Sequence, residues 1–302
     1  MKSIVERACN KIIRHTQWYD RYWGGVQKFW YLRRFNLDVV NLGSNSGLYA
    51  FNYDGLDIAG MNWAIGPHSL ADDFNVLKNY FSYLRIGAIV IIPLCPFSSL
   101  VSKYSKESNL KYYTFLHPAT IFYFEEEERI KALTIKQSPI KAMPWYCVKN
   151  TIRELGRLIL CRKNSRCDYG GHAKQFITMW KKQFWVEDLD ASLTRKHKEE
   201  QEIRIKDLID IIEFCQERSL KPVLVIPPVH PLLSKEITPV CRQNYIYSFV
   251  ERANRKHVPF LDYMDDARFQ KDANFSNSFF MSEKGAKKFT KVVLSDLGIS
   301  NS

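Results

Sequence analysis

Ala88-Ile-Val-Ile-Ile92 and Pro222-Val-Leu-Val-Ile226 contain no polar side chain, and each is closed by proline within a residue. Runs this short are strands rather than helices, and apolarity on both alternations means burial on both faces. Leu37-Asp-Val-Val-Asn-Leu42 is a third, mostly apolar run, ended by Gly43. Gly60-Met-Asn-Trp-Ala-Ile65 and Val258-Pro-Phe-Leu261 complete the set. Between them lie helical patterns. Ser69 is placed to cap a helix through Leu70, Phe74, Leu77, Tyr80 and Leu84, with Asp72 and Asp73 in its first turn. Ile205, Leu208, Ile212 and Cys215 step by three and four, Tyr245, Phe249 and Ala253 by four, and residues 282–297 form a closing helix. Strands alternating with amphipathic helices specify an α/β domain with a parallel sheet of about five strands, covered on both faces.

In such a sheet, ligands bind at the carboxyl ends of the strands. Gly43-Ser44-Asn45-Ser46-Gly47 is therefore the first turn to examine, because it places two hydroxyls and an amide at that edge. Pro93-Leu-Cys-Pro-Phe-Ser-Ser99 and Pro227-Pro-Val-His-Pro231 open at the same edge. Gly, Ser and Asn are also ordinary turn formers, so the composition of the turn does not by itself define a site.

The 302-residue chain is 46% hydrophobic and 14% aromatic, which excludes a disordered protein. No apolar run reaches eighteen residues, and no signal peptide is evident. Seven scattered cysteines in mostly apolar settings fit reduced thiols and a cytoplasmic location. Of the net charge of +12, residues 1–34 carry +6, with eight Lys/Arg against Glu6 and Asp20. In this stretch aromatic residues such as Trp18, Tyr19, Trp23 and Trp30 are mixed with the basic ones. The mixture suits a helix packed on the protein body with its basic side in water, and equally one lying at the inner face of a membrane. The sequence reads as two such helices, broken at Gly24-Gly25. No nucleic-acid-binding module is present.

Residues 1–36 are thus expected to form a basic, aromatic helical segment ahead of an α/β domain over 37–300. Residues of about 100–195 lose the strand–helix rhythm and read as a mostly helical insertion, with Glu125–Glu128 on a solvated helix face. Cys161, Cys167 and His172 in this insertion match no zinc spacing, so no metal site is expected.

The Gly43-Ser-Asn-Ser turn, the strand ending at Pro93, and Asn277-Ser-Phe-Phe-Met-Ser-Glu-Lys-Gly-Ala286 before the last helix together resemble the SGNH (GDSL-like) hydrolase superfamily. The resemblance covers residues 37–300 apart from the insertion, and implies a flavodoxin-like three-layer fold. Gly66-Pro-His-Ser-Leu70, Val225-Ile-Pro-Pro-Val-His-Pro231 and Phe260-Leu-Asp-Tyr263 narrow it to members associated with bacterial capsule or O-antigen synthesis. The alternation of apolar strands and amphipathic helices, with right-handed crossovers between strands, gives an expected strand order of 2-1-3-4-5. Three positions depart from the family pattern. Asn45 stands where the nucleophilic serine belongs, and Asn277 and Phe280 occupy the positions of the Asp-x-x-His motif. A phenyl ring cannot accept the proton that a serine nucleophile loses.

A replacement set is Ser46 or Ser44 as nucleophile, His230 as base and Asp262 to orient it, with Gly43, Asn45 and Asn277 binding the oxyanion or substrate. His68 is a further base candidate. The resemblance implies an acyl esterase or O-acyltransferase acting on hydroxyls of a surface polysaccharide or its lipid-linked precursor. Its alternative is a catalytically degenerate scaffold that binds a glycan or an assembly partner. No bound cofactor is expected; acyl-CoA or another acyl donor would serve as co-substrate.

Overall fold

The computed structural model describes residues 3–101, 110–160 and 167–299. The helices, in chain order, are α1 (Ile4–Arg14), α2 (Gln17–Tyr19), α3 (Gly25–Trp30), α4 (Asn45–Ala50), α5 (Leu70–Tyr80), α6 (Glu126–Gln137), α7 (Pro139–Ala142), α8 (Pro144–Leu160), α9 (Tyr169–Phe184), α10 (Arg195–Glu217), α11 (Pro231–Ser234), α12 (Pro239–Arg242), α13 (Ser248–Ala253) and α14 (Glu283–Asp296). The strands are β1 (Leu37–Asn41), β2 (Gly60–Asn62), β3 (Leu84–Pro93), β4 (Lys221–Ile226) and β5 (Phe260–Asp262). The chain divides into two compact units, one of residues 1–33 and 104–166, the other of residues 34–103 and 167–302.

The second unit is the α/β body. Its five strands are all parallel, as runs apolar on both alternations lead one to expect, and lie in the expected order β2-β1-β3-β4-β5. Val39, Val90, Ile92 and Leu224 are fully excluded from water, so both faces of the central strands are covered. The second strand is shorter than expected, yet Trp63 and Ile65 continue its bonding to Asn41 and Gly43. The third is longer, because a bulge at Gly87 (φ +77°) lets Leu84 join it. Leu84 therefore lies in β3 rather than at the end of α5. Ser69 and Asp72 form a reciprocal capping box at the start of α5. On one face, α14 packs Phe289 against Phe51, Tyr263 and Phe269, with ring centroids 5.1–5.4 Å apart.

The insertion divides differently from the sequence reading. Residues 167–195 belong to the body, because Phe176, Trp180 and Phe184 of α9 pack on Phe97, Phe279 and Phe280. Residues 104–166 join the N-terminal segment instead. Asn10 Nδ2 donates to Ser138 Oγ (2.9 Å), its Oδ1 accepts from Ile140 N, and the amides of Gln17 and Trp18 donate to the Glu154 carboxylate. The aromatic side of the first segment is thus packed, with Tyr19, Trp23, Val26 and Phe29 buried. Gly24-Gly25 does not break the helix. A π-helical turn over Asp20–Gly24 leads directly into α3.

Lys28 lies in this unit, and its ammonium is pushed down to about 7, first by burial and then by the charge of Lys111. Between that value and the ordinary lysine range, the unfolded chain binds more protons than the folded one. The cost of charging Lys28 is therefore complete below about pH 7 and relieved as pH rises. The stability of this unit should increase between pH 7 and 10, and Lys28→Met should flatten that dependence in denaturation curves taken across the range.

Candidate functional site

The carboxyl edge of the sheet is built around Gly43. Its φ of +111° is a left-handed value that side chains disfavour, and a Cβ here would fall 3.3 Å from the Pro93 ring. Gly43 N–H donates to Asp73 Oδ1 at 2.7 Å. The same oxygen lies 3.1 Å from His68 Nε2, and both side chains are almost wholly buried. Ser44 follows as the residue before α4, and its Oγ accepts from the His68 backbone N–H (3.1 Å). Asn45 lies tight against Gly66, where a Cβ would fall 1.6 Å from its Oδ1. The rest of α4 is held by a pair of amides. Asn41 Nδ2 donates to Asn62 Oδ1 (2.9 Å), while Asn62 Nδ2 reaches the carbonyls of Gly47, Leu48 and Phe51. Polar residues at the ends of β1 and β2 thereby fix the turn that follows β1.

His230 sits after β4, buried, and both of its ring nitrogens are engaged. Nδ1 accepts from Leu232 N (3.2 Å), and Nε2 faces Asp272 Oδ1 at 3.1 Å. An acceptor at Nδ1 fixes the neutral tautomer with its proton on Nε2, directed at Asp272. The ring also stacks flat on Tyr169, with centroids 4.3 Å apart and planes 1° from parallel. Tyr169 Oη in turn donates to the carbonyls of Asp272 and Phe275, and burial leads the causes that raise its phenol pKa.

The proposed replacement set is not joined by hydrogen bonds among the described residues. Neither Ser44 nor Ser46 is bonded to His230. Ser46 is buried in the first turn of α4. Asp262 is directed elsewhere: it accepts from Tyr247 Oη (2.8 Å) and from Met264 N (2.9 Å). Asn277 Oδ1 accepts from the amides of Phe279 and Phe280, closing a local turn. The Gly43 amide, expected in an oxyanion hole, points at a carboxylate instead.

Two features of this edge were missing from the sequence reading. Asp73, expected to serve the α5 dipole, supports the Gly43 turn thirty residues earlier. Phe280, where the resemblance would put a general base, forms an aromatic pair with Tyr49 of α4, with centroids 4.6 Å apart and Tyr49 nearly half exposed. Cys167 Sγ lies 3.4 Å from His172 Nδ1, but no group of three or more metal-ligating side chains occurs among the described residues. Cys161 lies outside them.

A concavity of about 780 Å³ lies at the opposite, amino end of the strands and is lined by residues that include Asp38, Arg85, Lys221, Lys256 and His257. The carboxyl edge is the better candidate, because chain turns, buried polar groups and exposed rings converge there.

The chain matches no protein-family model and no curated protein. The site must be read from its own geometry.

Proposed function

We propose that the protein is an SGNH-like scaffold of surface-polysaccharide biosynthesis, binding a glycan or its lipid-linked precursor at the carboxyl edge without acyl-serine chemistry. The observation that carries this reading is the engagement of the atoms that such chemistry needs. Gly43 N–H is held by Asp73, both His230 nitrogens have partners, and Asp262 and Asn277 brace turns. A carboxylate beside the Gly43 amide also opposes a developing oxyanion. The Tyr49–Phe280 platform supplies an apolar face suited to a sugar ring, next to the polar Ser44 and Asn45 turn.

Titration with fragments of capsule-type polysaccharide should show binding that Tyr49→Ala weakens at least tenfold. The wild type should neither hydrolyse acetyl esters nor react with a serine-directed fluorophosphonate. Turnover that is lost in Ser44→Ala would overturn the reading.

One observation favours a second reading, acyl transfer by the SGNH route with acyl-CoA or another donor. Ser44 Oγ lies 3.1 Å from the His68 amide, and His68 Nε2 lies 3.1 Å from Asp73. Ser44 thus bonds to the main chain of a histidine whose ring faces an aspartate, at the turn where the superfamily keeps its nucleophile. In this reading Ser44, rather than Ser46, would attack the acyl carbonyl, with His68 and Asp73 replacing His230 and Asp262.

A further inference from the structure

Charge and exposed apolar surface both concentrate in the helical unit. Residues 1–33 and 104–166 hold nineteen Lys/Arg against eight Asp/Glu, which is +11 of the chain's +12. The α/β body is nearly neutral. Within the helical unit, α8 turns Trp145, Val148, Ile152 and Leu155 to solvent, with Trp145 78% and Ile152 63% exposed. Spacings of three and four place these side chains along one stripe of the helix. Lys149 and Arg153 are exposed beside that stripe, while Cys147 is buried and Glu154 faces the amides of Gln17 and Trp18.

The first helix has the same construction. Ile4, Val5 and Ile12 of α1 are exposed, flanked by exposed Arg7 and Lys11, while Asn10 and Ile13 face inward. Both helices are anchored on α7. Asn10 bonds to Ser138 and Ile140 N, and Cys147 Sγ contacts Pro139 O. Ordinary surface helices keep such apolar residues inward, and a helix apolar on its water-facing side has an unpartnered face.

We infer that α1 and α8 form a docking face for an anionic lipid surface, on which the apolar stripes enter the headgroup–acyl boundary while the flanking lysines and arginines meet lipid phosphates. Charge selects this occupant. A second copy of the chain would bring another strongly positive unit against the first, whereas an anionic leaflet complements it. An exposed tryptophan at the start of α8 is the residue type that settles at a membrane–water boundary. Among the described residues no helix is long and apolar enough to cross a bilayer, so the contact is in the plane of the surface.

The test is co-sedimentation of the full chain with vesicles of phosphatidylcholine, with and without 30 mol% phosphatidylglycerol. Binding should require the anionic lipid and fall at least tenfold between about 0.05 and 0.5 M salt, as screening shortens the reach of the charges. The exposed pair Ile152→Glu/Leu155→Glu, and separately Trp145→Ala, should each lower binding at least tenfold, with the circular dichroism spectrum unchanged. Lys149→Glu/Arg153→Glu should lower binding to anionic vesicles in the same way. Equal binding to neutral vesicles, or no change on the apolar substitutions, would overturn the proposal. So would a dimer in sedimentation that Ile152→Glu/Leu155→Glu dissociates, since that would make a second copy the occupant.

Discussion

Gly285→Ala should destabilise the α/β body by about 3 kcal/mol or more, at the upper end of what an added methyl usually costs in a packed site. A Cβ at this position would fall 2.0 Å from the Asn274 carbonyl oxygen and 2.8 Å from its carbon. These are backbone atoms and cannot swing aside as a side-chain tip can. The contact is tight because the start of α14 is tied to the preceding loop. Ser282 N donates to Asn274 O (2.9 Å), its Oγ donates to Ala273 O (2.8 Å) and accepts from Gly285 N (3.1 Å). Relief would require α14 to move away from residues 272–275. That loop carries Asp272 on His230 and Phe275 in the core, so the damage should reach the candidate site as well as the packing. Calorimetry should show the transition of the body lowered by several degrees, and a loss below about 1 kcal/mol would contradict the geometry.

The same loop marks the limit of what the sequence made legible. The five strands could be read because burial on both faces leaves uninterrupted apolar runs such as Ala88–Ile92. Their parallel order could be read because helical patterns separate them. The turn at Gly43–Gly47 and the Ser282–Ala286 start of α14 were likewise visible as local patterns. The connections within the site were not. His230 is answered by Asp272, forty-two residues later, and Gly43 by Asp73, thirty residues later. Neither pairing has a period or a spacing rule. Asp262 was attractive because it ends a neighbouring strand, yet its carboxylate is turned toward Tyr247 and Met264. A place at the sheet edge fixes the backbone and leaves the side-chain direction to local bonding. The union of residues 1–33 with 104–166 was hidden for the same reason, since it rests on pairs such as Asn10 with Ser138, 128 residues apart.

Asp73 permits the sharpest separation of the two functional readings. Asp73→Ala would remove the acceptor of the buried Gly43 N–H and leave the His68 ring without its carboxylate. Leaving a buried donor without its acceptor costs about 1–3 kcal/mol, and two groups lose Asp73 here, because neither can return to water. The body should melt roughly 10 °C lower on that account, whichever function the edge performs. Asp73→Asn is the informative partner, because its amide oxygen keeps an acceptor at the Gly43 amide. Its stability should fall by only about 1 kcal/mol. In the scaffold reading this substitution leaves glycan binding within a few-fold of wild type, since Tyr49, Phe280 and the Gly43 turn stay in place. In the acyl-transfer reading the carboxylate must stabilise an imidazolium formed on His68. There the neutral amide would cut ester turnover by roughly 10⁴-fold in a protein that still folds. Stability, binding and turnover measured together on Asp73→Asn therefore distinguish a brace from a catalytic pair. The expected outcome is intact binding, a small loss of stability and no turnover in either the wild type or the variant.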